Sequence, residues 1–280
     1  MKPYLLGLYE KALPNEWSWE EKLTVTKETG YDFLEISIDE SDMRLSRLNN
    51  PTELSLIQAA IAKTGCPINT MCLSGHRKYP LGSTREQTIK QSLQIMSDAI
   101  DLASSLGVRI IQLAGYDVYY EEGSALTRAT FLTNLKHAVE LAARKGIVLG
   151  FETMETPFMD TVTKSMHIVN QINSPYLHIY PDIGNLTNAS KLYKHDILLD
   201  LEMGKGHLVA AHIKETKPNH YREIPFGTGH VEFEKCINTC WDMGVRMYTA
   251  EFWYDPTTDA KEVASFNCEF IISKFRSIIF

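Results

Sequence analysis

The chain has 280 residues, 44% of them apolar and 22% charged, with a formal net charge of −7. That is enough chain to bury one large core, and the acidic balance argues against coating nucleic acid while leaving room for one phosphorylated small molecule in a basic pocket. Five scattered cysteines make a poor disulfide framework, no run approaches the roughly 18 apolar residues of a membrane span, and MKPYLLGLYEKALP is no secretory signal, so a cytoplasmic protein with no membrane or nucleic-acid partner is expected.

A short apolar run followed by a longer amphipathic segment recurs along the chain. Leu5–Tyr9 reads as the first strand, and Ser18 with Glu21 has capping-box spacing for a helix through Leu23 and Val25. Phe33–Ile38 follows, and then Asn50-Pro51 supplies an N-cap and a first-turn proline. Ile68–Ser74, Arg109–Gly115, Val148–Thr153, Leu177–Asp182, Leu208–Glu215 and Met247–Trp253 complete the strand candidates. Most are near-continuous apolar runs, which suit parallel strands covered on both faces. Gly30, Gly65, Gly107, Gly146 and Gly244 each stand at a helix end shortly before the next strand; glycine tolerates the left-handed conformation that stops a helix. Cys236 and Cys240, four apart on one helix, read as small packing residues in a reducing compartment.

Eight such units in this length predict a (β/α)8 TIM barrel, with residues 1–280 as a single domain. A doubly wound sheet is the alternative, but no glycine-rich phosphate fingerprint follows the first strand. Long loops at 39–50, 75–84, 116–124 and 216–230 all follow strands, and in a barrel such loops build the active site.

Late in strands five to eight, an acid or a histidine interrupts each apolar run: Glu152, Asp182, His212 and Glu251. One buried carboxylate at a strand end is commonly a salt-bridge partner or a helix cap, and a lone histidine in a strand is commonly a satisfied core residue. Four from adjacent strands converge on one quadrant of the barrel rim. Three carboxylates gathered there would repel one another without a cation between them. The mainly oxygen donor set suits one divalent metal ion: Mn²⁺, Mg²⁺ or Co²⁺, with Zn²⁺ also compatible.

The wording around these residues is similar to that of the xylose-isomerase-like barrels. It most resembles the L-ribulose-5-phosphate (L-xylulose-5-phosphate) 3-epimerase family, nearly end to end. The stretches that carry the resemblance are LGLYEKALP from Leu6, FLEISIDESDMRLSRL from Phe33, MCLSGHRKYPLGS from Met71, IIQLAGYDVYYEE from Ile110, YPDIGNL from Tyr180, HIKETKP from His212 and PFGTGHVEFE from Pro225. The chain departs from the family wording at Gly75, at Met154-Glu155 and after Trp253. The resemblance implies that Glu152, Asp182, His212 and Glu251 bind the metal. It further implies that the substrate is a ketopentose 5-phosphate, in catabolism of L-ascorbate or a related pentose, and that the protein is a homodimer.

Epimerisation at C3 needs one group to take the proton and another to return one to the opposite face, and Glu152 and Glu251 suit that pair of roles. Lys214 and Lys217 are expected near the enediolate or the sugar hydroxyls, with an ordinary rim lysine the plain alternative. Glu155 and Asn185, three residues beyond Glu152 and Asp182, are expected to bond the sugar or orient ligands, with a helix N-cap the competing role for Asn185. For the phosphate, His76 and Arg77 are the expected donors, and the backbone amides of Gly227-Thr228-Gly229 are the rival location. Tyr9, Tyr116, Tyr119, Tyr120 and Trp253 stand where they could wall the pocket. Other readings are a sugar isomerase or dehydratase on the same metal barrel, a metal-dependent abasic-site endonuclease, and a non-catalytic sugar-binding barrel.

Overall fold

The computed structural model describes residues 2–279, and side chains as far as Phe275. Eight parallel strands run in one sheet: β1 Leu5–Tyr9, β2 Phe33–Ile38, β3 Ile68–Leu73, β4 Ile110–Ala114, β5 Val148–Glu152, β6 Leu177–Tyr180, β7 Ala211–Ile213 and β8 Met247–Ala250. β1 pairs with both β2 and β8, so the sheet curls on itself. β6 meets β7 through the bridges Ile179↔Leu208 and Asp182↔His212, which close the barrel. Helices cover the outside, and one continuous apolar cluster fills the space between them and the strands.

The local signals act as the sequence implies. Ser18 and Glu21 form a complete capping box on the helix Trp19–Glu28. Asn50 accepts from the amides of Thr52 and Glu53 at the start of Pro51–Thr64. Gly65, Gly107 and Gly146 take up φ of 66°, 77° and 68° at helix C-termini, values at which a side chain would be strained.

Six strands, β3 to β8, are shorter than the sequence pattern. β3 ends one residue early, and β6 stops at Tyr180 because Asp182 turns out to cap the next helix, Ile183–Tyr193. Leu208 bridges to Ile179, but the regular strand β7 begins only at Ala211. All five cysteines are free and buried.

Two further features prepare the rim. The β2–β3 register shifts between Leu34 and Glu35; such an irregularity re-aims a side chain. Below the rim, the fully buried Glu10 is gripped by Lys22, Arg44 and Arg47 at 3.1, 2.8 and 2.9 Å and accepts the Ser37 amide at 2.9 Å. Burial pushes the Glu10 carboxyl up, but the three cations outweigh it and hold it at about 2. This knot ties the chain after β1 to the loop after β2.

Candidate metal centre and active-site cavity

Glu152 is the last residue of β5, Asp182 lies two beyond β6, His212 is central in β7 and Glu251 directly follows β8. The Asp182↔His212 bridge joins two of the four by backbone pairing, and the Glu251 amide donates to the carbonyl of Ile213. Each of the four residues offers one donor atom, and these atoms all lie within 4.8 Å of one another. His212 Nδ1 stands 3.4 Å from Glu251 Oε2, 3.7 Å from Glu152 Oε1 and 3.9 Å from Asp182 Oδ2. Ligands about 2.0–2.2 Å from a common ion are spaced this way.

The hydrogen-bond accounting supports the same focus. Asp182 Oδ1 is spent on the Asn185 amide at 2.8 Å, which caps the helix. His212 Nδ1 is buried with no hydrogen-bond partner, and Asp182 Oδ2 and Glu251 Oε2, buried as well, have only the ammonium of Lys214 beside them. An orphaned ring nitrogen beside buried carboxylates that share a single ammonium is costly unless a further cation satisfies them. The structure therefore fits a divalent ion held by these residues.

Electrostatics gives the same account from the protein side. Burial, with Glu251 and Glu152 adding to it, raises the Asp182 carboxyl to about 8 against the pull of Lys214. Burial also works against the Glu251 carboxylate, but Lys214 and His212 more than offset it and hold it well below the usual range. Lys214 Nζ sits 2.8 Å from Asp182 Oδ2 and 3.0 Å from Glu251 Oε2. Desolvation opposes its charge, and the carboxylates around it raise its pKa above the ordinary lysine value.

The far side of His212 is held by a residue that the sequence reading passed over. His212 Nε2 lies 2.6 Å from Glu35 Oε1, and both side chains are fully buried. Glu35 Oε2 accepts from Thr70 Oγ1 at 2.7 Å and from the Tyr180 hydroxyl at 2.9 Å. The acid fixes Nε2 as the protonated nitrogen and leaves the Nδ1 lone pair for the ion. Burial pulls the His212 pKa down, but Glu35 and Glu251 together carry it well above the ordinary value. Gln112 on β4 donates likewise to Glu152 Oε2. The signal was available: Glu35 and Gln112 interrupt the apolar runs FLEIS and IIQLA just as the four donors interrupt theirs.

A cavity of about 190 Å³ opens over these groups, lined among others by Glu152, Glu251, Lys214, Asn185, Glu155 and Arg77. This is small beside drug-sized pockets and suits a compact polar metabolite. Tyr9 and Trp253 also line it; Tyr116 is buried behind it with its hydroxyl on the Ser74 carbonyl, and Tyr120 is exposed with its hydroxyl on Glu40. Asn185 donates to the Thr153 carbonyl at 2.8 Å and reaches Glu152 Oε1 at 3.5 Å. The cap of its helix is Asp182, so the competing N-cap role for Asn185 does not hold.

Other expected contacts are not brought to the cavity. His76 is buried with Nε2 at 3.1 Å from the Ser92 carbonyl, and burial lowers its pKa to about 4, so it is neutral at pH 7. The Lys217 side chain is exposed outside the lining, with its backbone paired to His220. In the Gly227–Gly229 loop the Gly227 amide donates to Glu215, itself buried, which also accepts from Thr216 and Val231, at 3.0, 3.0 and 3.2 Å, and the Thr228 amide donates to the Pro225 carbonyl at 3.2 Å. That carboxylate fills the place an anion would take. Glu155 meets Arg222 Nη2 at 2.6 Å and the Tyr119 hydroxyl at 3.0 Å. Arg222 stands on the loop after β7 and also lines the cavity; as one arginine among polar loop residues, it carried no sequence signal.

Comparison with known proteins places these features in context. The profile of the xylose isomerase-like TIM barrel family matches residues 23–273. The chain is 43% identical over 262 residues to L-ribulose-5-phosphate 3-epimerase UlaE of Salmonella heidelberg (strain SL476), covering 92% of this chain and 91% of that protein. It is 44% identical over 263 residues to L-ribulose-5-phosphate 3-epimerase UlaE of Escherichia coli (strain K12), with the same coverage of 92% and 91%. Among solved structures, a D-allulose 3-epimerase from Methylomonas sp. superposes with a TM-score of 0.77 at 17% identity, over 98% of this chain and 99% of that chain. An L-ribulose 3-epimerase superposes with a TM-score of 0.75 at 16% identity, over 98% of this chain and 95% of that chain. At that identity the structural matches speak for the fold alone.

Proposed function

The chain belongs to the xylose isomerase-like TIM barrel family and, within it, to the L-ribulose-5-phosphate 3-epimerases, and on that premise we propose that it inverts C3 of a ketopentose 5-phosphate, interconverting L-xylulose 5-phosphate and L-ribulose 5-phosphate. The observation that carries this reading is the convergence of Glu152, Asp182, His212 and Glu251 within 4.8 Å. His212 Nδ1 among them is buried without a partner, and Asp182 and Glu251 share the one ammonium of Lys214.

In this reading those four residues hold one divalent ion. The three oxygens and one nitrogen suit Mn²⁺, Co²⁺, Mg²⁺ or Zn²⁺. When bound, the ion polarises the C2 carbonyl and supplies positive charge where negative charge develops. The chain's own groups do the proton work. Glu152 and Glu251 come from the outermost of four consecutive strands, so they flank Asp182 and His212. A carboxylate oxygen of one glutamate takes the C3 proton, and the C3–H electron pair passes into an enediolate. The other glutamate, entering as the acid, returns its proton to C3 from the opposite face. The two exchange roles for the reverse direction, so no net proton is consumed.

Lys214, held by Asp182 and Glu251, is set to donate to the enediolate oxygens. Tyr9 and Trp253, with rings 6.1 Å apart, form an aromatic wall that excludes water from the reacting carbon. The homodimer and the cytoplasmic location expected from the sequence are part of the same proposal.

The test is a proton NMR time course in D₂O with L-xylulose 5-phosphate and a divalent metal. Deuterium at C3 together with the C3 epimer is the expected result. No exchange at any carbon, with metal confirmed bound, would turn the assignment toward an isomerase, a dehydratase or a binding protein.

A further inference from the structure

The seam that closes the barrel is its thinnest joint. Among the described residues β6 and β7 share no continuous ladder, and the isolated bridges Ile179↔Leu208 and Asp182↔His212 join them. The upper bridge carries two of the four candidate ligands. At the lower one stand two histidines that the metal chemistry does not use. His178 precedes Ile179 on β6, His207 precedes Leu208, and the Ile179 amide donates to the His207 carbonyl at 2.9 Å. The two side chains meet across the seam with ring centroids 5.5 Å apart. Asp182 lies four residues further along the chain, roughly 13 Å at the rise of a strand. The pair therefore belongs to the end of the barrel opposite the cavity, the end where barrels carry stability and not chemistry.

Surroundings fix the proton on one of the rings. His178 Nε2 is 3.0 Å from the Pro175 carbonyl. A carbonyl only accepts, so Nε2 carries the proton and Nδ1 keeps its lone pair. Burial lowers the His178 pKa against the pull of that carbonyl, and His207 lowers it further, so the ring is neutral at pH 7. His178 Nδ1 and His207 Nδ1 are both buried with no hydrogen-bond partner among the described residues. The residues themselves are only half-buried, within reach of ions from solvent. An imidazole that donates one nitrogen to a backbone carbonyl and keeps the other free is set up as a metal ligand. Two imidazoles on one tetrahedral ion, each nitrogen about 2.0–2.1 Å from it, have ring centres about 5 Å apart, close to the 5.5 Å found.

We propose that His178 and His207 bind a second divalent transition metal, Zn²⁺, Ni²⁺ or Cu²⁺, which staples β6 to β7 at the far end of the barrel from the cavity. Among the described residues no third histidine, cysteine or carboxylate joins the pair, so water completes the coordination. An all-imidazole donor pair favours these ions over Mg²⁺ and Mn²⁺. An ion that binds only the closed barrel stabilises it. The inference does not depend on the epimerase reading.

The experiment dialyses metal-stripped wild type, His178→Gln, His207→Gln and the double variant against tens of micromolar Zn²⁺ and measures bound metal by atomic emission. The wild type is expected to hold one Zn²⁺ more per chain than any variant, and the same dialysis against Mg²⁺ should show no such difference. With Zn²⁺ at a hundredfold excess over its Kd, the thermal midpoint of the wild type should rise by about 5 °C more than that of His207→Gln. Circular dichroism checks the fold. His207 lies in a turn, so its replacement leaves the β6 ladder intact even where His178→Gln does not fold. Equal Zn²⁺ stoichiometry in wild type and His207→Gln would overturn the proposal, and so would an equal rise in midpoint. If the wild type holds a single Zn²⁺ and the variants none, the seam site stands and the ion assigned to the cavity is the one that fails.

Discussion

Replacing Glu35 by glutamine separates the charge behind His212 from its shape. The wild-type contact is 2.6 Å between two fully buried groups, which places it among charge-assisted hydrogen bonds. Glutamine keeps an acceptor oxygen for Nε2–H but removes the negative charge, so the bond falls to ordinary strength. The difference is about 1.5 kcal/mol, or about tenfold in an equilibrium constant. The imidazole becomes a weaker base, and Nδ1 a weaker ligand. Affinity for Mn²⁺ or Zn²⁺ should drop by roughly 10-fold, within the range seen when a partner of a ligating histidine is removed. Thr70 and Tyr180 can reverse their hydroxyls toward the new amide, and Tyr180 retains Thr249 at 2.8 Å, so the fold should hold. The assay is a competition titration of metal-stripped protein against a chromophoric chelator, with circular dichroism confirming structure. Affinity within twofold of wild type would refute the argument that Glu35 tunes the site through His212.

Other expectations follow from the same geometry. Glu251→Gln should stay folded and lose at least 1,000-fold in kcat, because the amide can neither accept nor return the proton; near-normal turnover in the NMR assay would exclude the two-carboxylate mechanism. Asp182→Asn should keep the helix cap through its side-chain oxygen while weakening metal binding, whereas Asp182→Ala should also lose about 1 kcal/mol of cap stability in urea unfolding; equal stability of the two variants would deny the double role. Glu10, at about 2 folded against an ordinary 4.5, contributes about 3 kcal/mol. Because its folded pKa is depressed, that stability is complete above about pH 4.5 and drains away as pH falls toward 2. Glu10→Gln should therefore be markedly less stable than wild type at pH 6, with the gap closing near pH 2.5; a gap independent of pH would show that the carboxylate's charge is irrelevant.

Much of the architecture is written locally. The helix stops at Gly65, Gly107 and Gly146 and the starts at Ser18 and Asn50 each depend on a few adjacent residues, so they can be read one segment at a time. The four candidate ligands were legible for a related reason: a charged or imidazole group inside an apolar strand has few roles open to it. Glu35 and Gln112 stand in equivalent sequence settings on strands two and four. His76 and Lys217 illustrate the opposite limit. Both are cationic-type residues beside strand ends, but a short 3-10 turn at Gly75–Arg77 buries one ring and leaves Arg77 at the cavity, and the Lys217 side chain faces solvent.

The sequence by itself determined the eight repeating units, their boundaries to within a few residues, and which polar groups interrupt the strands. Tertiary structure decided which of those groups meet. Barrel closure sets Asp182 beside His212 by backbone pairing, a register shift turns Glu35 toward the same imidazole across 177 residues of chain, and Arg222 reaches Glu155 across 67. Periodicity and capping are short-range steric effects, confined to a turn or two of backbone. Charge pairing across a closed sheet depends on register and curvature, which no single segment encodes.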